Sequence, residues 1–218
     1  IQAYAYLLLE KNTPLSEERL RRLQLISKID SLGAGFSIAA NDLDIRGAGN
    51  ITVNAMSSTA AAELSDIILT STSDNTVNTT ADFTLTGTFP DAVFTLQGNN
   101  SVTMNSTGIG TKQVTLNSGN ALIANANRLT GKLVNGAGNV TVNKLDETAT
   151  ADLSGITTTG TNTVNAAANV TEFSGKFPGE AFTLGGGKTV TMTQDGITTG
   201  KTMTIDSGNT LKSTATLL

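Results

Sequence analysis

The 218-residue chain contains no histidine, no cysteine and no tryptophan. Their absence excludes disulfides, thiolate or imidazole metal sites, cysteine or histidine nucleophiles and any Ser-His-Asp arrangement. An enzyme made from these residues would have to work with carboxylates, Lys, Arg, Tyr or hydroxyls. The lack of cysteine leaves the redox compartment open. The longest apolar run, Tyr6-Leu7-Leu8-Leu9, is far too short to span a membrane. It has no basic stretch before it and ends at Glu10-Lys11, so it does not read as a signal peptide. Positive charge is scarce as well. Lys+Arg number 14 against 18 Asp+Glu, a formal net charge of −4, so there is no global basic footprint for nucleic acid. The chain opens on Ile rather than Met, as a fragment or trimmed chain would.

These averages cover two unlike parts. Residues 1–50 hold one Thr, nine Leu and six residues of each charge sign. Residues 51–218 hold 36 Thr and a single Arg, Arg128, with eight Lys+Arg against twelve Asp+Glu. The whole net charge therefore belongs to the second part, and composition puts a domain boundary near Asn50.

In the first part, Ala3-Tyr4-Ala5-Tyr6-Leu7-Leu8-Leu9 suits a short buried strand. Ser16 can cap a helix whose first turn carries Glu17 and Glu18. Leu20, Leu23, Ile26, Leu25, Ile29 and Leu32 then recur at three- and four-residue steps, and Gly33 can end the helix. A loop follows, Ser37-Ile38-Ala39-Ala40-Asn41-Asp42-Leu43-Asp44-Ile45-Arg46-Gly47-Ala48-Gly49-Asn50.

The succession AYAYLLL, LSEERLRRLQLISKIDSLGAGF, SIAANDLDIRGAGN closely resembles the end of the second motor lobe of bacterial transcription-repair coupling factor. RecG helicase shares the motif. The resemblance implies a loop that couples ATP hydrolysis to translocation on duplex DNA. Arg46 matches its functional arginine, and Asp42, Gly47 and Gly49 match its framing positions. The family's second essential residue, a glutamine ten positions later, is replaced by Met56. The family's ATP-binding P-loop, acidic motor motif and arginine-finger motif lie upstream of this segment and are not among these residues. Beside it stands the plainer reading of a packed basic helix, with Arg19, Arg21, Arg22 and Arg46 offering at most weak phosphate contact to duplex DNA.

The second part is an internal duplication. Gly47–Asn54 returns as Gly136–Asn143 and Thr59–Ile67 as Thr148–Ile156, both 89 residues later. Asn75-Thr76-Val77-Asn78, Phe89-Pro90, Phe94-Thr95-Leu96 and Val102-Thr103-Met104 reappear as Asn162-Thr163-Val164-Asn165, Phe177-Pro178, Phe182-Thr183-Leu184 and Val190-Thr191-Met192. Two copies result, about 47–135 and about 136–218.

Within each copy, stretches such as Ile51-Thr52-Val53, Phe83-Thr84-Leu85, Val114-Thr115-Leu116 and Met203-Thr204-Ile205 alternate an apolar with a hydroxyl side chain. That is the period-2 pattern of a strand with one dry and one wet face. Turns rich in Gly, Asn, Asp and Ser separate the strands, and similar units recur roughly every 20 residues. The economical architecture for residues 51–218 is a mainly β, parallel β-solenoid with one unit per coil and about four coils per copy. A β-sandwich of the same strands is the competitor. The unit is also similar to the Thr/Asn/Gly-rich arrays of bacterial adhesin, S-layer-like and autotransporter-passenger proteins. That resemblance implies a cell-surface setting, whereas the first part implies the cytoplasm.

Catalytic or metal chemistry has little support in these repeats. Gly185-Gly186-Gly187-Lys188 lacks the Asp of a calcium-binding nonapeptide ladder, and Asp146-Glu147 occurs only in the second copy. Thr189-x-Thr191-x-Thr193 has the Thr-x-Thr form of ice-binding faces, but exposed strand threonines need no such role. The expectation is a chain without enzymatic activity, cofactor, metal or identified small-molecule substrate, able to contact surfaces or itself through the solenoid.

Overall fold

A computed structural model describes residues 45–56, 64–70, 75–105, 108–110 and 112–217. The strand expected at 3–9 and the helix expected at 16–32 lie outside these residues. Compactness divides the chain at 38/39, so Ala39–Leu218 forms one unit.

That unit is a parallel β-solenoid of about eight turns. Every strand pairing among its described residues is parallel. Four sheets form its sides. Side 1 holds β1 (Ile45–Gly47) and β3 (Ile67–Leu69). Side 2 holds β2 (Thr52–Met56), β4 (Thr76–Thr79), β6 (Phe94–Gln97), β8 (Val114–Leu116) and β10 (Val134–Gly136). Side 3 stacks seven strands: β5 (Phe83–Leu85), β7 (Ser101–Met104), β9 (Ala121–Asn125), β11 (Asn139–Asn143), β12 (Asn162–Asn165), β14 (Phe182–Gly185) and β16 (Met203–Ile205). Side 4 holds β13 (Val170–Phe173), β15 (Thr189–Met192) and β17 (Thr210–Lys212). The strand β1 places Ile45–Gly47 in extended backbone where the sequence reading has a loop, so residues on both sides of Asn50 belong to one run of coils.

The alternating pattern explains the core. On side 3 the apolar position stacks as Leu85, Met104, Ala124, Val142, Val164 and Leu184, each buried. The hydroxyl position faces outward. Aromatics cluster in the interior: Phe89 and Phe94 approach to 5.0 Å between ring centres, while Phe177 sits 4.7 Å from Phe173 and 4.9 Å from Phe182. The duplicated Phe-Pro motif therefore supplies one aromatic cluster per copy.

Corners are closed by buried amides. Asn75, Asn120 and Asn162 are 1%, 0% and 3% exposed. Asn120 Oδ1 accepts the Asn100 N–H at 3.3 Å, and its Nδ2 donates to the carbonyls of Leu96 (3.2 Å) and Asn117 (3.3 Å). Asn162 accepts the Thr158 hydroxyl at 2.5 Å and donates to the carbonyls of Thr158 and Ala181. These side chains bond backbone groups where the chain bends, the Asn100 N–H among them. Glycine is required where coils touch most closely. Gly136 has φ +101, and a Cβ there would stand 2.3 Å from the Leu116 carbonyl oxygen.

The duplication is not a whole number of coils. Register partners lie between 18 and 24 residues apart (Leu122↔Val140 and Thr52↔Thr76 are the extremes). Four turns carry side 2 from β2 to β10, and β11, the copy of β2, is the next strand, on side 3. Likewise β4, β6 and β8 on side 2 return as β12, β14 and β16 on side 3, while β7 and β9 on side 3 return as β15 and β17 on side 4. Each copy is therefore four turns plus one side. The second copy is rotated by one side about the solenoid axis.

Candidate functional site

Of the positions expected from the resemblance to form a translocation motif, Arg46, Gly47 and Gly49 are described and Asp42 lies outside the described residues, as do the expected phosphate contacts Arg19, Arg21 and Arg22. Arg46 is exposed and stands in β1, in register with Ile68 of β3. The Gly47 carbonyl accepts the Thr70 N–H at 2.9 Å and the Thr70 hydroxyl at 3.2 Å. The motif's central segment is thus held as a rung of the solenoid.

Side 3 presents the most regular surface. In register along it run Thr84, Thr103, Ile123, Thr141, Thr163, Thr183 and Thr204. At a strand spacing of about 4.8 Å the column is about 29 Å long. Its upper part comes from copy 1; its lower part is the copy of Thr52, Thr76, Thr95 and Thr115 on side 2. One-side rotation joins two shorter columns into one. Beside it, Asn165 Nδ2 donates to Asn143 Oδ1 at 3.1 Å, and on side 2 Asn78 Nδ2 donates to Asn54 Oδ1 at 2.7 Å. No strand of side 2 or side 3 contains a charged residue. Sequence reading saw the alternation but not this continuous column, because no local signal says which strands stack.

Charges occupy the corners and the remaining sides. Lys144 pairs with Glu147 at 2.7 Å, Lys176 with Asp152 at 3.3 Å and Lys201 with Glu180 at 2.6 Å. The Asp146-Glu147 pair is divided between structural tasks, since Asp146 Oδ1 accepts the Ala167 N–H at 2.5 Å. Among the described residues no group of three or more carboxylates could hold a metal ion, and no helix is long and apolar enough to cross a membrane.

Burial alone would raise the Asp146 carboxyl, but N–H donors from Ala167, Ala168 and Asp146 itself outweigh it and hold the group below its ordinary range. A carboxyl lowered on folding stabilises the fold above its unfolded pKa, about 3.9, and loses that contribution as pH falls through the folded value. The urea midpoint should therefore drop between pH 5 and pH 2, and Asp146→Asn should make that drop shallower; an equal drop in both proteins would refute the role.

One concavity, a cleft of about 470 Å³, opens between the end of copy 1 and the start of copy 2. Its walls include Gln113, Leu133, Asn135, Asp152, Ser154 and Thr157. Asp152 Oδ1 accepts both the Ser154 hydroxyl (2.5 Å) and the Ser154 N–H (3.1 Å), and Lys176 faces Oδ2. The Ser154 hydroxyl bond, the Ser154 N–H and Lys176 together hold the Asp152 carboxyl below its ordinary range against the opposing effect of burial. Leu133 is 50% exposed. Asn135 Oδ1 is covered and meets no donor among the described residues. An unpaired buried acceptor costs about 1–3 kcal/mol.

Comparison with known proteins bears on the N-terminal part. The chain is similar to the transcription-repair-coupling factors of Myxococcus xanthus (50% identical over 50 residues), Haemophilus influenzae (46% over 56) and Escherichia coli (44% over 50). These matches cover 23–26% of this chain and only 4–5% of the relatives' length. They lie in the short N-terminal segment. No family model matches the chain, and no solved structure matches it.

Proposed function

We propose that the chain is a non-enzymatic β-solenoid segment of the bacterial surface or adhesin-like kind, joined to a truncated remnant of a transcription-repair coupling factor translocase. The observation that carries the first half is the uncharged seven-rung face of side 3. A rigid column of six hydroxyl groups and Ile123, with amides beside it, suits many weak, repeated contacts to a neutral surface, which become strong only together. The likeness to coupling factors supports the second half, and the pairing of β1 with β3 supports a loss of motor function, since a translocation loop has to move. The shared Gly-Ala-Gly-Asn at 47–50, which ends the motor motif and begins the repeat, is a natural point for the join.

Retention of the full chain on neutral abiotic and cell surfaces tests the adhesive reading. A Thr141→Lys/Thr163→Lys double variant should lower retention about tenfold while leaving the β circular dichroism unchanged. Undiminished retention would remove side 3 from the proposal. The second reading, a coupling-factor fragment with an atypical C-terminal repeat, is favoured by the 44–50% identity to those relatives. It requires duplex DNA to be held on a filter at low salt and released at high salt. No retention at low salt is the expected outcome.

A further inference from the structure

The cleft between the two copies has a chemistry of its own, and we propose that it binds a single neutral sugar ring. Its walls come from different copies, Leu133 and Asn135 from the end of the first and Asp152 to Thr157 from the second. It is therefore built once, unlike the side-3 column. At about 470 Å³ it falls within the size range of small-molecule sites.

The lining selects the ligand. Asp152 presents an oxygen acceptor, Gln113 an amide and Thr157 a hydroxyl, so a ligand must bring several hydroxyl groups that both donate and accept. Half-exposed Leu133, next to buried Val134, offers an apolar wall for the C–H face of a ring. A pyranose combines both features. Free sulfate, phosphate or carboxylate ligands would meet the Asp152 carboxylate, whose counter-charge Lys176 is already engaged. A metal ion would find one carboxylate in the lining, already bonded by Ser154. Cleavage of a glycosidic bond needs two carboxyl groups across the bond, and the cleft has one, so the site binds and does not hydrolyse. Asn135 Oδ1 has no donor among the described residues, and turning its amide toward the cleft would let a ligand hydroxyl supply one.

The test is an NMR titration of the ¹⁵N-labelled full chain with glucose, galactose, mannose and N-acetylglucosamine, and with an oligosaccharide of each. Concentrations should reach about 50 mM, enough to saturate a millimolar site. At least one sugar should shift the amides of Leu133, Asn135, Ser154 and Thr157 saturably. Preference for the oligosaccharide would place the natural ligand on a glycan, and equal binding would point to the free sugar. Asn135→Ala and Asp152→Asn should each weaken binding about tenfold, whereas Thr95→Ala on side 2 should leave it unchanged. Should Asn135→Ala unfold the coil, Leu133→Ala, at an exposed position, carries the same expectation through lost ring packing. No saturable shift with any sugar, equal shifts with glycerol, or shifts confined to other coils would each overturn the proposal. Such a failure would leave the adhesion and DNA results untouched.

Discussion

Phe177→Ala should lower the unfolding free energy by about 3–5 kcal/mol, a large effect for a single substitution. Phe177 is fully buried and lies between two other rings, 4.7 Å from Phe173 and 4.9 Å from Phe182. Removing it deletes the ring's own burial and both aromatic contacts, and it leaves a cavity. The backbone around it is tied by coil-to-coil hydrogen bonds, among them Phe177 N–H to the Gly196 carbonyl at 2.8 Å, so the neighbours cannot collapse into the space. A solenoid is stabilised between neighbouring coils, so the loss should be concentrated near residues 150–200. Urea denaturation gives the magnitude, and amide exchange gives the place. A cost below about 1 kcal/mol, or protection lost evenly along the chain, would contradict this account.

Asn120→Ala should cost about 2–3 kcal/mol, an effect that its place in a Ser-Gly-Asn turn would not suggest. Two of the groups it serves keep other partners: the Leu96 carbonyl also accepts the Asn117 N–H at 3.1 Å, and the Asn117 carbonyl also accepts the Asn120 N–H at 3.1 Å. The Asn100 N–H loses its side-chain acceptor, and the emptied corner is buried. Asn120→Asp is the sharper variant. It keeps the acceptor toward Asn100 but turns an ionised oxygen toward two carbonyls in a buried site, which raises the carboxyl pKa. A raised folded pKa means stability is retained at low pH and lost as pH rises through that value. Asn120→Asp should therefore be closer to wild type at pH 4 than at pH 7. A pH-independent deficit would show that the corner is open to water.

The sequence made the inward and outward faces of most coils legible. Val77, Leu96, Leu116 and Leu184 are buried where an apolar residue alternates with threonine, and the roughly 20-residue recurrence corresponds to one turn. The likeness of the N-terminal segment to transcription-repair-coupling factors was also legible, from a dense run of matching spacings. Other features had no local signature. Asn75, Asn120 and Asn162 read as turn formers, and only packing shows them to be buried corner posts. The cleft draws on residues from Gln113 to Thr157 whose spacing matches no motif.

Period-2 alternation is a property of a few consecutive residues, so the chain by itself determined which side chains turn inward, where it bends and that its second part is duplicated. Which strand lies on which depends on how many residues every corner consumes around a full coil. Tertiary structure alone decided that. The register shift between Val53 and Met56 and the bulge between Val170 and Phe173 alter the count by single residues. A repeat of 88–89 residues therefore closes four turns and runs on by one side, which rotates the second copy and joins two shorter outward columns into one.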